Sequence, residues 1–188
     1  METAESNVHV NADVIRQKLG ITVTALQVTG IAYVAWIFWL ILAPLTRPES
    51  LVNWLRIAFH RPLTNVDTWQ FGAYFLVDLL NWLLIAVAAS YCWSAMQQIK
   101  TADGNDKVAS SRLVVGAWLA CIAEAISILA RPLKSYVMTV NDNGEGPLFH
   151  WYFSPQDLVV SMLCLALLGF AYVFSWKAYL AEENKGFI

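Results

Sequence analysis

The chain has 188 residues, of which 58% are hydrophobic and only 14% charged, with a mean hydropathy of +0.51. Soluble domains carry roughly a quarter charged residues, so an ordinary water-soluble fold is excluded, and a formal net charge of −2 gives no basic surface for nucleic acid. The three cysteines, Cys92, Cys121 and Cys164, lie in separate apolar stretches without CxxC spacing. That pattern fits reduced core residues, not a disulfide framework or a zinc site.

Residues 1–19 form a polar segment of mixed charge, with Glu2, Glu5, Asp13, Arg16 and Lys18. A secretory signal would place a short apolar core directly after a basic start, and here the apolar stretch comes later and runs longer. The rest, 20–188, is expected to be a single all-α membrane domain, an integral membrane four-helix bundle. The first span is predicted over Gly20 to Leu45, since no charge occurs between Lys18 and Arg47 and about 20 apolar residues suffice to cross the hydrocarbon core. Pro44 and Pro48 are expected to close it.

Leu51 to Leu63 reads LVNWLRIAFHRPL. Leu51, Leu55, Ala58 and Phe59 fall on one helical face, with Arg56 and His60 on another. This fits a short helix in the membrane interface, or an amphipathic connector packed on the end of the bundle. The second span is predicted over Trp69 to Trp93, bracketed by interfacial tryptophans, and it contains Asp78 and Asn81. The third runs from Leu113 to Arg131, with Glu124 inside, Ser110 or Ser111 as its cap and Pro132 as its end. The fourth runs from Asp157 to Trp176. Ser154 suits its N-cap, Pro155 the first helical position, and Asp157 the third, as in a capping box.

Four spans place both termini on one side. That side carries seven basic residues (Arg16, Lys18, Lys100, Lys107, Arg112, Lys177, Lys185), and the other five (Arg47, Arg56, Arg61, Arg131, Lys134). The bias predicts cytoplasmic termini. The loop from Ser135 to Pro155, with Asn141, Asn143 and Gly144, would then face outward.

No catalytic motif, glycine-rich phosphate loop or helical histidine pair occurs, and His9, His60 and His150 all fall outside the predicted spans. Neither an enzyme nor a cofactor is expected, haem included. What stands out is polarity inside the membrane, where a charge is costly and normally faces the bundle interior. Tyr74, Asp78 and Asn81 share one face of the second span. Glu124, Ser127 and Arg131 share one face of the third. Three readings of this group stay open. It is a structural network in which Arg131 reaches Glu124 or Asp78 and Asn81 bonds across the helices. Or it is a cation or proton site built on two carboxylates at one depth. Or one carboxylate is simply neutral.

The stretch from Leu113 through Pro132, and then FSPQDLVVSMLCLALLGFAYVFSWKAYLAEENKGFI, resembles a bacterial family of four-span inner-membrane proteins known only as a domain of unknown function. The resemblance is carried by an aromatic-rich exit and an acidic tail with an apolar finish, at Val173, Phe174, Leu180, Glu182, Glu183, Asn184 and Ile188. Genes of that family often sit beside Cro/CI-type helix-turn-helix regulators. The resemblance therefore implies a regulatory or sensory role in the bacterial inner membrane, with Leu180, Glu182, Glu183 and Asn184 as candidate docking residues for a cytoplasmic protein. The alternative is a small transport or ion- or proton-coupled protein using Asp78 and Glu124. The partners expected are the lipid bilayer, such a cytoplasmic protein and a second copy of the chain.

Overall fold

The computed structural model describes residues 2–59, 63, 66–100, 106–141 and 146–185. Five helices follow in chain order: α1 (Glu2–Thr46), α2 (Pro48–Phe59), α3 (Thr68–Lys100), α4 (Asp106–Thr139) and α5 (Pro155–Lys185). Four carry segments long and apolar enough to cross a membrane: Gly20–Pro44, Thr68–Ile99, Asp106–Thr139 and Pro155–Asn184. The chain is thus an all-α, multi-pass membrane protein with a short helix between the first two spans. A helix of 34 residues such as α4 extends about 50 Å, well beyond a hydrocarbon core of about 30 Å. The long helices therefore either tilt or project past the lipid.

From Glu2 onward the polar N-terminal segment is continuous with the first helix, since α1 begins at Glu2. Pro44 lies inside α1, contrary to its expected role as a stop. The break comes at Arg47, because Pro48 disfavours helical geometry in the residue before it and itself opens α2 as a first-turn proline. In α2, Leu55 is buried with Leu63 and with Met138 of α4, whereas Ile57 is exposed. Arg56 turns back to donate from Nη2 and Nε to the Leu63 carbonyl at 2.8 and 3.3 Å. The short helix thus packs on the bundle through one face and presents another outward. His60 lies outside the described residues.

Two boundaries of the third span need correction. The helix starts at Asp106, so neither Ser110 nor Ser111 is its cap. Ser110 is buried and donates back to the Lys107 carbonyl at 2.9 Å. At the other end Pro132 does not stop α4, which continues to Thr139. A proline inside a helix costs about 3 kcal/mol, and the segment beyond it is held by several bonds that offset this. Gln70 donates to the Val137 carbonyl at 2.7 Å. Thr139 Oγ1 accepts from Leu148 N at 2.8 Å, and Ser135 Oγ accepts from His150 N at 2.8 Å. Gln70 is itself fixed by its side-chain oxygen, which accepts from Asp67 N at 2.6 Å, one half of a capping box at the start of α3.

The helices pack in a row. Among the described residues α1 packs on α3 and α2, α3 on α4, and α4 on α5, whereas α1 and α5 do not pack on one another. Accordingly α4 is the most enclosed span, with 28% of its apolar window buried against 6% in each of the others. Trp82 holds α1 to α3 by donating from Nε1 to the Val34 carbonyl at 2.9 Å and by packing on Phe38 with ring centroids 4.7 Å apart. Small residues set the closeness of α3 and α4. Ala95, Leu113, Ala117 and Ala171 form a buried cluster with Cys92 against it. A Cβ placed on Gly116 would meet Cys92 Sγ at 2.7 Å and the Ala88 carbonyl oxygen at 3.1 Å.

This contact generates a measurable expectation. Gly116→Ala should lower the detergent melting temperature by the equivalent of roughly 1–3 kcal/mol, the usual cost of overpacking. Adding Cys92→Ala should recover part of that loss, since it removes the sulfur but leaves the Ala88 backbone in place. If the double variant melts no higher than Gly116→Ala alone, the close approach at Cys92 is not what limits the packing.

Candidate functional site in the membrane

The polar side chains singled out from the sequence fall into two groups at the end of the bundle that carries α2 and the α4–α5 connection. The first lies between α3 and α4. Asp78 forms an ion pair with Lys134, whose Nζ also sits 4.5 Å from the centroid of the Tyr74 ring. On the sequence alone Lys134 counts as a loop charge. It reaches Asp78 because α4 runs on through Pro132 and carries Lys134 about one turn beyond Arg131. Asp78 borders a cavity of about 260 Å³ between α1 and α3, together with Pro44, Tyr74, Asn81 and Trp82.

The second group joins α4 to α5. Arg131 makes a two-pronged ion pair with Asp157, Nη1 to Oδ2 at 2.6 Å and Nη2 to Oδ1 at 2.5 Å. It also donates to the Tyr152 carbonyl at 3.2 Å and lies 4.7 Å from the centre of that ring. The expected partners, Glu124 or Asp78, are therefore replaced by Asp157. The sequence identifies Asp157 only as a capping acid, and that role is present as well. Its carboxylate accepts from Ser154 N at 2.6 Å while Ser154 Oγ accepts from Gln156 N at 3.0 Å. One carboxylate therefore starts α5 and neutralises Arg131. The Asp157 side chain is only 7% exposed and that of Arg131 18%, and in such a setting both charges persist only as a pair.

Glu124 and Ser127 line a larger cleft of about 660 Å³ with Arg131 and Asp157 at its polar end. All four long helices contribute to it: Tyr33 and Ile37 from α1, Asn81 and Cys92 from α3, Ala120 and Glu124 from α4, Val160 and Cys164 from α5. The cleft exists because α1 and α5 border it without packing together. Glu124 has no hydrogen-bond or ion-pair partner among the described residues. Asn81, expected to bond across the helices, has its side-chain oxygen buried without a partner. Asp78 and Glu124 border different cavities, so they form no carboxylate pair, and Ile37, Asn81 and Ile85 border both. Among the described residues no three His, Cys, Asp or Glu side chains converge as metal ligands would.

At the opposite end, Leu180, Glu182, Glu183 and Asn184 are exposed on the last turns of α5. Glu182 reaches Lys107 at the start of α4, at 3.1 Å. Gly186, Phe187 and Ile188 lie outside the described residues. The loop beyond α4 brings a further feature, one without a motif to mark it in the sequence. Phe149, Trp151, Tyr152 and Phe153 are consecutive but for His150 and all exposed, which suits the headgroup layer where aromatic rings are enriched.

No family model matches the chain, and neither a curated protein nor a solved structure matches it. The resemblance carried by the C-terminal residues thus stands at the level of four long apolar helices, with no family shown.

The two ion pairs and the solitary carboxylate should respond differently to mutation. Arg131→Ala leaves a buried Asp157 charge behind and should cost on the order of 3–5 kcal/mol. Glu124→Gln removes a charge that pairs with nothing and should leave the melting temperature within a degree or two of the parent. Thermal unfolding in one detergent decides the order. A Glu124→Gln protein melting as low as Arg131→Ala would mean that Glu124 belongs to the charge network that holds the bundle together.

Proposed function

We propose that this chain is a non-enzymatic protein of the bacterial inner membrane with a sensory or regulatory role, its cleft receiving a signal and its termini facing the cytoplasm. The observation that carries this reading is the α4–α5 hairpin. It is clasped at one end by the buried Arg131–Asp157 fork beside the cleft. At the other it is clasped by the exposed Lys107–Glu182 pair beside the tail. Because α5 runs unbroken from Pro155 to Lys185, a change at its first turn moves the tail as one body. Exposed pairs contribute roughly 0–1 kcal/mol, so the tail end is the easily released one. Leu180, Glu182, Glu183 and Asn184 then serve as the docking surface for a cytoplasmic protein, a small transcription regulator being the kind implied by the family resemblance. The excess of seven basic residues over five on the terminal side supports the orientation.

A small transport or ion-coupled role is the second reading, and the solitary Glu124 favours it. Against it, Asp78 is already neutralised by Lys134, which leaves one of the two carboxylates without a coupling task.

The orientation is tested by a topology reporter. A fusion after Ile188 should read cytoplasmic and an insertion at Asn143 external, and the opposite pattern removes the docking surface from the cytoplasm. The docking role is tested by a stop after Lys177. Ala178 is the one buried side chain among the described residues removed, so the truncated protein should insert, remain monodisperse and lose the soluble protein that the full chain retains on purification from native membranes. A well-folded truncate that keeps this protein excludes the tail as the docking element.

A further inference from the structure

The cleft bordered by all four spans has a chemistry of its own, and that chemistry narrows the class of signal it can receive. Its walls are mostly apolar, from Ile37, Ile85, Ala120, Val160 and Leu167, and its polar groups gather at one end. The charges around that end and the neighbouring cavity do not balance. Arg131 and Lys134 stand against Asp78, Glu124 and Asp157. Two of the three carboxylates are taken, Asp157 by Arg131 and Asp78 by Lys134. The charge left over is negative and sits on Glu124, inside the cleft. The second polar atom left without a partner there is the buried Asn81 oxygen, again an acceptor. Tyr33 borders the same cleft, and aromatic faces attract organic cations, whereas the ring of Tyr152 is already taken by Arg131. An ionisable side chain held in the membrane interior is costly unless it is met by a partner.

In a step that rests on the receiving role of this cleft, we propose that it binds a lipophilic organic cation, whose apolar body lies among the four helices and whose positive charge lies against Glu124. The volume of about 660 Å³ lies within the range of small-molecule pockets, and a few convergent polar groups in an apolar cavity are the usual arrangement of such sites. A molecule of this class partitions into the bilayer and reaches the cleft laterally, through the gap where α1 and α5 do not pack. The charge left over excludes two other amphiphiles. A fatty acid would set its carboxylate beside Glu124 and Asp157. A phospholipid amine would bring a phosphate to the same acceptors. Neither gains what a single positive charge gains there.

Two probes of nearly the same shape and opposite charge test this: tetraphenylphosphonium and tetraphenylborate. Each is equilibrated with the full chain in nanodiscs of zwitterionic phospholipid, with empty nanodiscs subtracted. The expected result is saturable binding of tetraphenylphosphonium at about one site per chain, and none of tetraphenylborate. Glu124→Gln should weaken the phosphonium at least about tenfold, the loss expected on removing a partly desolvated opposite charge. Ala120→Phe, which fills the cleft and spares every charge, should abolish it. If the borate binds saturably and Ala120→Phe abolishes that binding, the cleft is a ligand site and the cation is the wrong class. If neither probe binds saturably, or if phosphonium binding is the same in the parent, Glu124→Gln and Ala120→Phe, the proposal and the receiving role of the cleft both fall.

Discussion

A charge in hydrocarbon is tolerated when another charge or a hydrogen-bonding group meets it, and the arrangement of this protein follows from how Arg131 meets that demand. Its guanidinium has a planar fork of donors that matches a carboxylate edge to edge. Asp157 supplies that edge from the first turn of α5, at 2.5 and 2.6 Å. The same carboxylate accepts the Ser154 backbone N–H and so fixes where α5 begins. The position of the fourth span is thereby tied to the third by a bond whose loss would strand both charges. In a bilayer, where apolar burial gives helices little reason to associate, such a tie carries more of the geometry than it would in water.

The closeness of α3 and α4 has the complementary origin. Gly116, Ala117, Ala88 and Ala95 leave no side chain in the way, so the backbones approach and dispersion contacts accumulate. Lys134 and Asp78 meet across the same pair of helices. Both interfaces of α4 thus combine small-residue packing with an ion pair, Gly116 and Lys134–Asp78 on the α3 side and Ala117 against Ala171 with the Arg131–Asp157 fork on the α5 side. Helix α1 has neither of these toward α4 or α5. It is attached to α3 through Trp82, and the cleft is what remains on its far side.

The number of spans, their approximate extent and the start of α5 were legible in the sequence, because each rests on a local signal: unbroken apolar length, or a serine followed by proline and aspartate. The polar residues were legible as a set, since cost alone marks a charge among 20 or so apolar neighbours. Their pairing was not legible, and the reason is specific. A stop at Pro132 places Lys134 in a loop and leaves Asp78 without a partner. The bonds that carry α4 past that proline come from Gln70, Leu148 and His150, which are remote in sequence. Asp157 is recognisable for its local role, and nothing in its spacing announces that a guanidinium 26 residues upstream is reaching for it. Local signals mark where α5 begins, whereas tertiary bonds decide how far α4 runs past its proline.

Partner choice also explains why a residual charge is found at Glu124 and nowhere else in this group. Arg131 is seven positions beyond Glu124 on α4, about two turns, so both lie on one face. The guanidinium reaches forward to α5, where the capping carboxylate offers two oxygens already oriented by the Ser154 backbone, rather than back along its own helix. Preorganised acceptors lose less entropy on pairing than a flexible glutamate does. Once Arg131 is committed to Asp157 and Lys134 to Asp78, no cation among the described residues remains within the group for Glu124. A fixed pairing of the neighbours, and not any property of Glu124 itself, is therefore what leaves its carboxyl group facing the cleft without a partner. Any molecule that satisfies it does so without breaking the fork that holds α5, and that keeps occupancy of the cleft compatible with the fold.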